Sequence, residues 1–372
     1  MRFINEKILK IKEFRYRKTY YKNDEKMIEA MDRFKKSIDK KDLNKIKEEI
    51  CLCKKFWGCF PSHYYRYNLY EKNISKEELL SYIPEYFFYN LFLSKYDSIE
   101  LDEKLSNKIE LYKLFKELDI KQNETDFFFI NNKIYNSEFN EISIDNMFKS
   151  LNDKKYKKLF IKPADGQGGY GIIIIDYVDG KYLNKNGEIM TKEKFKELLR
   201  NGDYLIQKQI LQSDQMNKIY NKSVNTFRIA TENINGNVRI VCSTLRVGKD
   251  GNEVDNSAQD GIVVGVDILT GKLTTNGVTE KTKVYKKHPN SGFIFKNYNI
   301  NNWNEVKEFA ESSAKKMKEY TYLGWDIAIT DNGPIAIETN LGFGLDHYQV
   351  VLGGLASNFN IKNPELYWKG LE

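Results

Sequence analysis

Two separated stretches of the sequence concentrate residues that could do chemistry. The first is LFIKPADGQGGYGIIIIDYV, residues 159–178, in which Lys162 precedes a loop with four glycines in six residues. The second is GWDIAITDNGPIAIETN, in which three side chains could act as oxygen ligands, Asp326, Glu338 and Asn340. Glycine loops can turn backbone N–H groups toward phosphates, and carboxylate and amide oxygens suit hard cations such as magnesium. Together the stretches would provide a cradle for phosphates and a metal site.

The glycine loop fits several nucleotide-binding signatures, of which its context excludes three. Gly166, Gly168 and Gly171 satisfy G-x-G-x-x-G, but that motif must lead into a helix, whereas the isoleucines at 172–175 predict a strand. A Walker A lysine follows the last glycine, whereas Lys162 precedes the first. The H-R-D and D-F-G segments of protein kinases do not follow. Two interpretations stay open: a flexible hairpin that closes over phosphates, and a tight hairpin without a ligand.

The second stretch is predicted to be a β-hairpin. An Asp-Asn-Gly-Pro turn at residues 331–334 joins its two strands. Glu338 and Asn340 are two residues apart, so they point to one face of their strand, and the hairpin can bring Asp326 opposite them. This arrangement suits magnesium bound to nucleotide phosphates. The alternative is an acidic edge hairpin that binds nothing.

The elements around these stretches predict an α+β protein. Residues 1–100 have helical patterns followed by an aromatic-rich segment, and strands dominate from residue 159 onward. FFFINNKIYN is typical of a hairpin around Asn131 and Asn132. Helices are predicted for TKEKFKELLR and for WNEVKEFAESSAKKMKEY.

Composition restricts the class of protein. With 372 residues, 41% hydrophobic and 30% charged, the chain should fold into two or three lobes rather than be disordered. No apolar run reaches the ~18 residues of a membrane span, and the start lacks the apolar centre of a signal peptide, so we expect a cytoplasmic protein. Four cysteines do not make a disulfide framework. Zinc at Cys51, Cys53, Cys59 and His63 is a weaker alternative to buried thiols, because the spacing lacks paired C-x-x-C.

The positive charge is concentrated at the N-terminus. Of a net +7, residues 1–60 supply 18 Lys and Arg against 10 Asp and Glu, so the rest of the chain is close to neutral. One interpretation is a surface for anionic lipid or polyanionic glycan, which would allow peripheral association with a membrane; the other is a solvated helical face. No nucleic-acid partner is predicted, because no recognisable module is present.

Two features resemble the ATP-grasp superfamily. One is Lys162 followed by the glycine loop, and the other is Asp326 followed on the next strand by Glu338-x-Asn340. Several further segments look like its sugar-transfer-associated branch, whose members are encoded with capsular and surface polysaccharide genes: SVNTFRIAT, LRVGKDGNEVDN, VDILTGKL, HPNSG and GWDIAIT. The resemblance runs over roughly residues 55–350. It implies two α+β lobes that grip ATP, with boundaries at a helical region 1–104, a lid lobe 105–211 and a C-terminal lobe 212–372.

The resemblance also implies a set of ligand-binding residues. Asp326, Glu338 and Asn340 would hold two magnesium ions. Gln207 stands where the family more often has glutamate. The ATP-binding set is Lys108, Lys162, Gly166, Gln167, Gly168, Gly169, Tyr170, Gly171, Gln207, Lys208, Ile210 and Asp214.

Activity follows from the same resemblance. ATP-grasp ligases phosphorylate a carboxylate and let an amine attack the acylphosphate, so we expect an amide ligase acting on a uronic acid, an amino acid or another glycan precursor. Arg228 and Arg246, on predicted strands, are candidates to hold the γ-phosphate or the developing tetrahedral oxyanion. Asn225, Asp255 and Asn256 are candidates for substrate binding. A kinase acting on a hydroxyl and a non-catalytic nucleotide-binding partner of glycosyltransferases are the alternatives.

Overall fold

Two antiparallel sheets preceded by a helical region make up the framework of the protein. This is a computed structural model that describes residues 2–72, 74–96, 98–166, 170–200, 202–253 and 261–370. Within those ranges, no helix is both long and apolar enough to cross a bilayer.

The N-terminal region is helical up to the first sheet. Asp24, Asp42 and Ser75 each accept hydrogen bonds from backbone N–H groups in the first turn of the helix that follows, as good N-cap residues do. A π-helical turn and a 3₁₀ turn follow the sixth helix at Phe88–Phe92 and Leu93–Lys95. The α-helices are α1 (Arg2–Asn23), α2 (Glu25–Lys36), α3 (Leu43–Trp57), α4 (Ser62–Arg66), α5 (Lys76–Ser81), α6 (Glu85–Phe87) and α7 (Ile99–Ser106).

The first sheet is antiparallel throughout, with strand order β3-β2-β1-β7-β4-β5-β6. Asn131 and Asn132 both have positive φ, which confirms the predicted Asn-Asn turn between the first two strands. The strands are β1 (Thr125–Ile130), β2 (Lys133–Asn136), β3 (Glu141–Ile142), β4 (Lys158–Pro163), β5 (Ile173–Val178), β6 (Lys181–Asn184) and β7 (Tyr204–Lys208). Its helices are α8 (Lys108–Glu117), α9 (Ile144–Lys154) and α10 (Lys192–Leu198).

The second sheet is antiparallel too, with strand order β12-β11-β10-β9-β8-β13-β14. Every residue of β8 except the last is buried, so this strand runs through the centre of the protein. The strands are β8 (Thr226–Ile234), β9 (Asn237–Val247), β10 (Ile262–Gly265), β11 (Gly277–Val278), β12 (Val284–Tyr285), β13 (Tyr322–Thr330) and β14 (Gly333–Asn340). The helices are α11 (Asp214–Ile219), α12 (Trp303–Lys316), α13 (Leu345–Leu352) and α14 (Pro364–Lys369).

Hydrophobic packing covers both faces of the second sheet. On one face Trp303 and Val306 of α12 join a cluster with Phe227 and Trp325. The other face packs against the aromatic-rich N-terminal segment, where Phe88 and its neighbours meet the side chains of α13 and α14. Burial of this much aromatic surface explains why the N-terminal region adheres to the C-terminal half rather than standing apart.

The first sheet has a separate core. Its strands pack against α9 and α10 through residues such as Met147, Leu159 and Phe195. Separate cores under the two sheets agree with two lobes, while the boundaries at residues 104/105 and 211/212 stay predictions.

The cysteines are dispersed among different clusters. Cys53 packs among N-terminal side chains, Cys59 lies in the aromatic cluster beside the second sheet, and Cys51 is exposed. Both ring nitrogens of His63 are buried without a hydrogen-bond partner in the described part of the chain. These positions agree with buried thiols and give no support to the zinc alternative.

Candidate active site

A cavity of about 540 Å³ opens between the two sheets. Its walls come from the end of β4, the segment after β7, and strands β8, β9, β13 and β14. The sequence-predicted site residues that line it are Lys108, Lys162, Gly166, Tyr170, Lys208, Ile210, Arg228, Arg246, Asp326, Glu338 and Asn340. Residues that the sequence separates by more than 200 positions thus share one cleft.

The glycine-rich stretch is a hairpin connection, as its isoleucines predicted. β4 and β5 pair antiparallel, with Leu159 opposite Ile175. Gly171 has φ of +75°, a conformation that glycine adopts without a steric penalty. The predicted residues Gln167, Gly168 and Gly169 lie outside the described part of the chain.

Lys108 connects the start of α8 to this loop. Its ammonium donates a hydrogen bond to the carbonyl oxygen of Gly166. Burial lowers the pKa of Lys108, against the raising effects of Glu338 and Asp165. The helix is capped by Asn107, whose side chain accepts from the N–H groups of the first turn. The Lys108 ammonium is therefore held between the loop and Glu338.

Gln207 on β7 does not line the cavity, but it lies on the face of the first sheet that carries Lys162. It pairs with Phe160, while Lys162 pairs with Leu205, and directly opposed residues share a face. Its Nε2 donates to Thr125 Oγ1 at 2.8 Å. The buried Oε1 has no hydrogen-bond partner among the described residues. An unsatisfied buried acceptor at this position can receive a donor from a ligand.

Asp214 and Asn225 do not line the cleft. Asp214 is the exposed first residue of α11. Asn225 is wholly buried, and its Nδ2 donates to the carbonyl oxygens of Met216 and Tyr220, both at 2.8 Å. Asn225 therefore stabilises the turn before β8. Asp255 and Asn256 lie outside the described residues.

A row of charged side chains crosses the second sheet. Asp326 on β13 is directly opposite Arg228 on β8 and Glu338 on β14. Arg246 on β9 is opposite Thr226. A bulge in β14 between Ala336 and Glu338 sets the register of the last pair. Four adjacent strands therefore contribute to one surface of the cleft.

The Asp326 carboxylate lies between the two arginines. Arg228 Nε is 2.7 Å from Asp326 Oδ1, and Arg246 Nη2 donates to Asp326 Oδ2 at 3.0 Å. The side chain of Asp326 is 2% exposed and those of both arginines are 9% exposed. Arg246 is also fixed by Thr226 Oγ1 at 2.9 Å. Charge pairs this deeply buried are held rigidly, because leaving either sign unpaired would be costly.

The two carboxylates of the row have opposite pKa shifts. The pKa of Asp326 is raised to about 7. Burial is the largest cause and Glu338 also raises the pKa, while Arg228 and Arg246 lower it. Burial also acts to raise the pKa of Glu338, but Arg228, Asp326, Arg246 and Lys108 lower it to about 2. Such a split is the mark of two acids that repel each other at close range. A bound cation would relieve that repulsion.

The donor set fits magnesium in its chemistry. Glu338 and Asn340 share a strand face, with Asn340 Nδ2 donating to Glu338 Oε1 at 3.3 Å. Two carboxylates and an amide oxygen are hard donors, and Mg²⁺ typically takes one or two carboxylates and completes its shell with phosphates and water. Within the described residues, no group of three or more His, Cys, Asp and Glu side chains could hold a metal ion alone. The three side chains are therefore compatible with magnesium in their chemistry, and oxygens from outside the protein would have to complete its shell.

His347 is a cleft residue that sequence reasoning missed. Its Nδ1 lies 3.1 Å from Glu280 Oε1, and the ring borders the cavity beside Gly344. A Cβ added to Gly344 would come within 2.4 Å of the ring, so this glycine makes room for it. The Gly-Phe-Gly run at residues 342–344, one residue beyond Glu-x-Asn, was the available signal.

Behind His347 a buried network reaches into the N-terminal region. Lys26 Nζ donates to Asp346 Oδ2 at 2.7 Å and also pairs with Glu280. Arg66 Nη2 donates to the same Asp346 oxygen at 3.0 Å. Burial opposes the ionised form of Asp346, but His347, Arg66 and Lys26 together hold its pKa far below the usual range. The N-terminal helices thus fix the wall of the cleft.

Comparison with known proteins gives one family match. A family model described as sugar-transfer associated ATP-grasp matches residues 89–362. No curated protein matches the chain.

Solved structures resemble the chain at low identity. D-alanyl-alanine synthetase A from Vibrio cholerae has 12% identity and a TM-score of 0.40, covering 71% of this chain and 66% of that one. The biotin carboxylase domain of 2-oxoglutarate carboxylase from Hydrogenobacter thermophilus, solved with MgADP, has 13% identity and a TM-score of 0.40, with 71% and 46% covered. L-amino acid ligase from Bacillus licheniformis has 13% identity and a TM-score of 0.35, with 72% and 48% covered. The chain thus spans from about half to two thirds of the length of these structures.

Proposed function

Because the chain belongs to the sugar-transfer associated ATP-grasp family, we propose that it is an ATP- and magnesium-dependent ligase that joins a carboxylate to an amine. The substrate is a precursor of a surface or capsular polysaccharide, with a uronic acid or an amino acid as the carboxylate. The observation that carries the proposal is the charged row Arg246, Arg228, Asp326 and Glu338, which shares a cavity with Lys162 and the glycine loop.

Nucleotide binding is assigned to the first-sheet wall. Lys162 and Lys108 bring positive charge to the phosphates, and the backbone N–H groups of the loop add hydrogen bonds. The segment from Lys208 to Ile210 offers backbone groups to the base. Gln207 Oε1, a buried acceptor, suits the exocyclic amine of adenine. On this proposal residues 105–211 act as the lid lobe and residues 212–372 as the lobe beneath it.

The second-sheet wall carries the chemistry of phosphoryl transfer. Asp326, Glu338 and Asn340 would hold the magnesium ions, which neutralise phosphate charge when bound. Transfer of a phosphoryl group needs charge compensation far more than covalent help from the protein. Rigid placement of the row on four paired strands means that little reorganisation is needed when charge moves.

Arg228 and Arg246 serve the second half of the reaction. The substrate carboxylate attacks the γ-phosphorus and releases ADP. An amine then attacks the acylphosphate carbon and loses a proton, and the C–O bond breaks so that phosphate leaves with the bridging oxygen and the electron pair of that bond. Negative charge collects on the carbonyl oxygen between these steps. A guanidinium has five N–H donors, more than one carboxylate accepts, so each arginine can bind Asp326 and still face that oxygen.

The electrostatics of the site favour an enzyme over a binding module. A protein that only recognises ATP does not need two buried arginines against one of the proposed metal ligands. Holding them there requires Asp326 to be buried with them, at a cost in desolvation. Retaining that arrangement makes sense where charge develops during a reaction.

Hydroxylamine trapping tests the proposal. The protein is incubated with ATP, magnesium, a mixture of uronic acids and amino acids, and hydroxylamine; ADP is quantified, and products are identified by mass spectrometry. A hydroxamate, formed when hydroxylamine captures the acylphosphate, supports the ligase. ATP turnover that yields a phosphorylated hydroxyl and no hydroxamate assigns a kinase instead. The Glu338→Gln variant, run in parallel, excludes a contaminating activity.

A further inference from the structure

Helix α1 is attached to the protein along one face. Leu9 O accepts a hydrogen bond from Tyr86 Oη at 3.0 Å, and Glu13 Oε1 accepts from the N–H of Phe60 at 3.0 Å. Lys10 places its ammonium 3.6 Å from the ring centroid of Trp368 in α14. The opposite face of the helix points away from the body of the protein.

That outward face has bulky apolar side chains. Ile8, Ile11 and Phe14 are 44%, 54% and 55% exposed. They follow one another at intervals of three residues, so they form a continuous strip along about two turns of the helix. Exposed apolar residues are ordinary when scattered, but a contiguous strip on one helix marks a contact surface.

The charges around the strip are all of one sign. Lys7, Lys12, Arg15, Lys18 and Lys22 are exposed, and they lie on the same half of the helix as the apolar strip.

The two acids of the helix, Glu6 and Glu13, are partly buried on the other half. Among the described side chains of α1, every exposed charge is therefore positive.

We propose that this face of α1 binds the surface of a membrane rich in anionic lipid. On this face basic side chains lie beside and between the apolar ones, so the apolar groups can enter the boundary of the acyl chains while the long Lys and Arg side chains reach the lipid phosphates. The helix lies outside residues 89–362, the part of the chain that the family model matches. The proposal does not depend on the ligase activity.

Other occupants fit this face less well. A second copy of the chain would bring five basic residues against five more with no acid to pair them, which repels. A soluble polyanion such as a glycan would use the cations but would leave Ile8, Ile11 and Phe14 without a partner. An anionic bilayer provides phosphates for the basic residues and an apolar region for Ile8, Ile11 and Phe14.

Vesicle flotation with the full chain tests the proposal. We expect the protein to float with vesicles of phosphatidylglycerol and phosphatidylcholine, to stay behind with phosphatidylcholine alone, and to be released at high salt. Two variants separate the parts of the surface: Ile8→Ser with Ile11→Ser and Phe14→Ser, and Lys12→Glu with Arg15→Glu and Lys18→Glu. Each should weaken binding to the anionic vesicles by at least about tenfold.

The matched control makes the same change in net charge elsewhere. Lys315→Glu, Lys316→Glu and Lys318→Glu alter exposed lysines at the end of α12 and should bind vesicles like the wild type. Circular dichroism confirms that all variants fold. Wild-type protein that fails to float, or α1 variants that bind as well as the control, would overturn the proposal. Light scattering that finds a dimer lost only in the serine variant would assign the face to a second copy.

Discussion

The two walls of the cleft are built in different ways. On the first sheet the part proposed to bind phosphates is a hairpin connection, where Tyr170 is 64% exposed and Lys108 donates a hydrogen bond to the Gly166 carbonyl oxygen. On the second sheet Arg228 and Asp326 lie on adjacent strands that are buried on both sides, and their side chains are 9% and 2% exposed. The described end of the hairpin connection is thus exposed, whereas the charged pair on the second sheet is buried.

This difference matches two tasks. A group that must let a nucleotide enter and then close over it has to move, so it belongs on a connection with little buried surface. Groups that meet developing charge have to be in place beforehand, so they belong on central strands of a sheet. We therefore expect changes on the second sheet to affect stability and turnover, and changes on the hairpin to affect binding and exchange.

The largest effect is expected from Asp326→Ala. Removing this carboxylate leaves Arg228 and Arg246 buried without their shared partner, which should lower the free energy of unfolding by about 3–5 kcal/mol. Urea unfolding followed by circular dichroism measures it. The exposed turn residue Asp331 provides the control, since Asp331→Ala should stay within about 0.5 kcal/mol of the wild type. Equal losses in the two variants would mean that the second wall is not preorganised by this pair.

Glu338→Gln should leave the fold intact and remove turnover. The substitution keeps the shape of the side chain but takes a negative charge from the proposed magnesium site, so ATP turnover should fall at least ~10²-fold while ATP affinity falls less. Initial rates of ADP formation, with calorimetry for affinity, test this. Glu308→Gln, an exposed residue on α12, is the matched control. If ATP affinity and turnover fell by the same factor, Glu338 would contribute only to the binding of ATP.

Lys162→Ala is expected to act mainly on affinity. Loss of a charge-assisted contact to phosphate should weaken ATP binding by about 10- to 100-fold, with no change in melting temperature. Isothermal titration with ATP and magnesium gives the affinity. The exposed Lys181 on β6 offers the comparison, because Lys181→Ala removes the same charge away from the cleft. If the folded Lys162→Ala variant bound ATP as tightly as the wild type, Lys162 would not contribute to nucleotide binding.

The smallest expected effect is a change in hydrogen exchange. Amides at residues 166–171 should exchange quickly without nucleotide and several-fold more slowly with ATP and magnesium, whereas amides of β8 should be slow in both conditions. Exchange followed by mass spectrometry resolves both peptides in one experiment. If the loop exchanges at the same rate with and without ATP, the proposed division of tasks between the walls loses its basis.

Much of the local structure followed from the sequence. The glycine stretch lies between two strands, the Asn-Asn turn forms, and helices cover residues 192–198 and 303–316 inside the predicted segments. The hydrophobic pattern was less reliable near the N-terminus. Met27, Met31, Phe34 and Ile38 fall at helical spacing in the sequence, but Ile38 is 94% exposed beyond the end of α2. A period of 3.6 identifies a helix but not where its last turn gives way to a loop.

The sequence by itself determined the parts of the site that lie within a few residues of one another. Lysine before the glycine loop and Glu-x-Asn on a strand are local patterns, because alternation and turn chemistry act over short spans of chain.

Only the tertiary structure decided which distant groups meet. Strand register put both arginines on Asp326, and helix packing brought Lys26 to Asp346 beside the cleft. Register and packing depend on the whole buried surface at once, so no short segment encodes them.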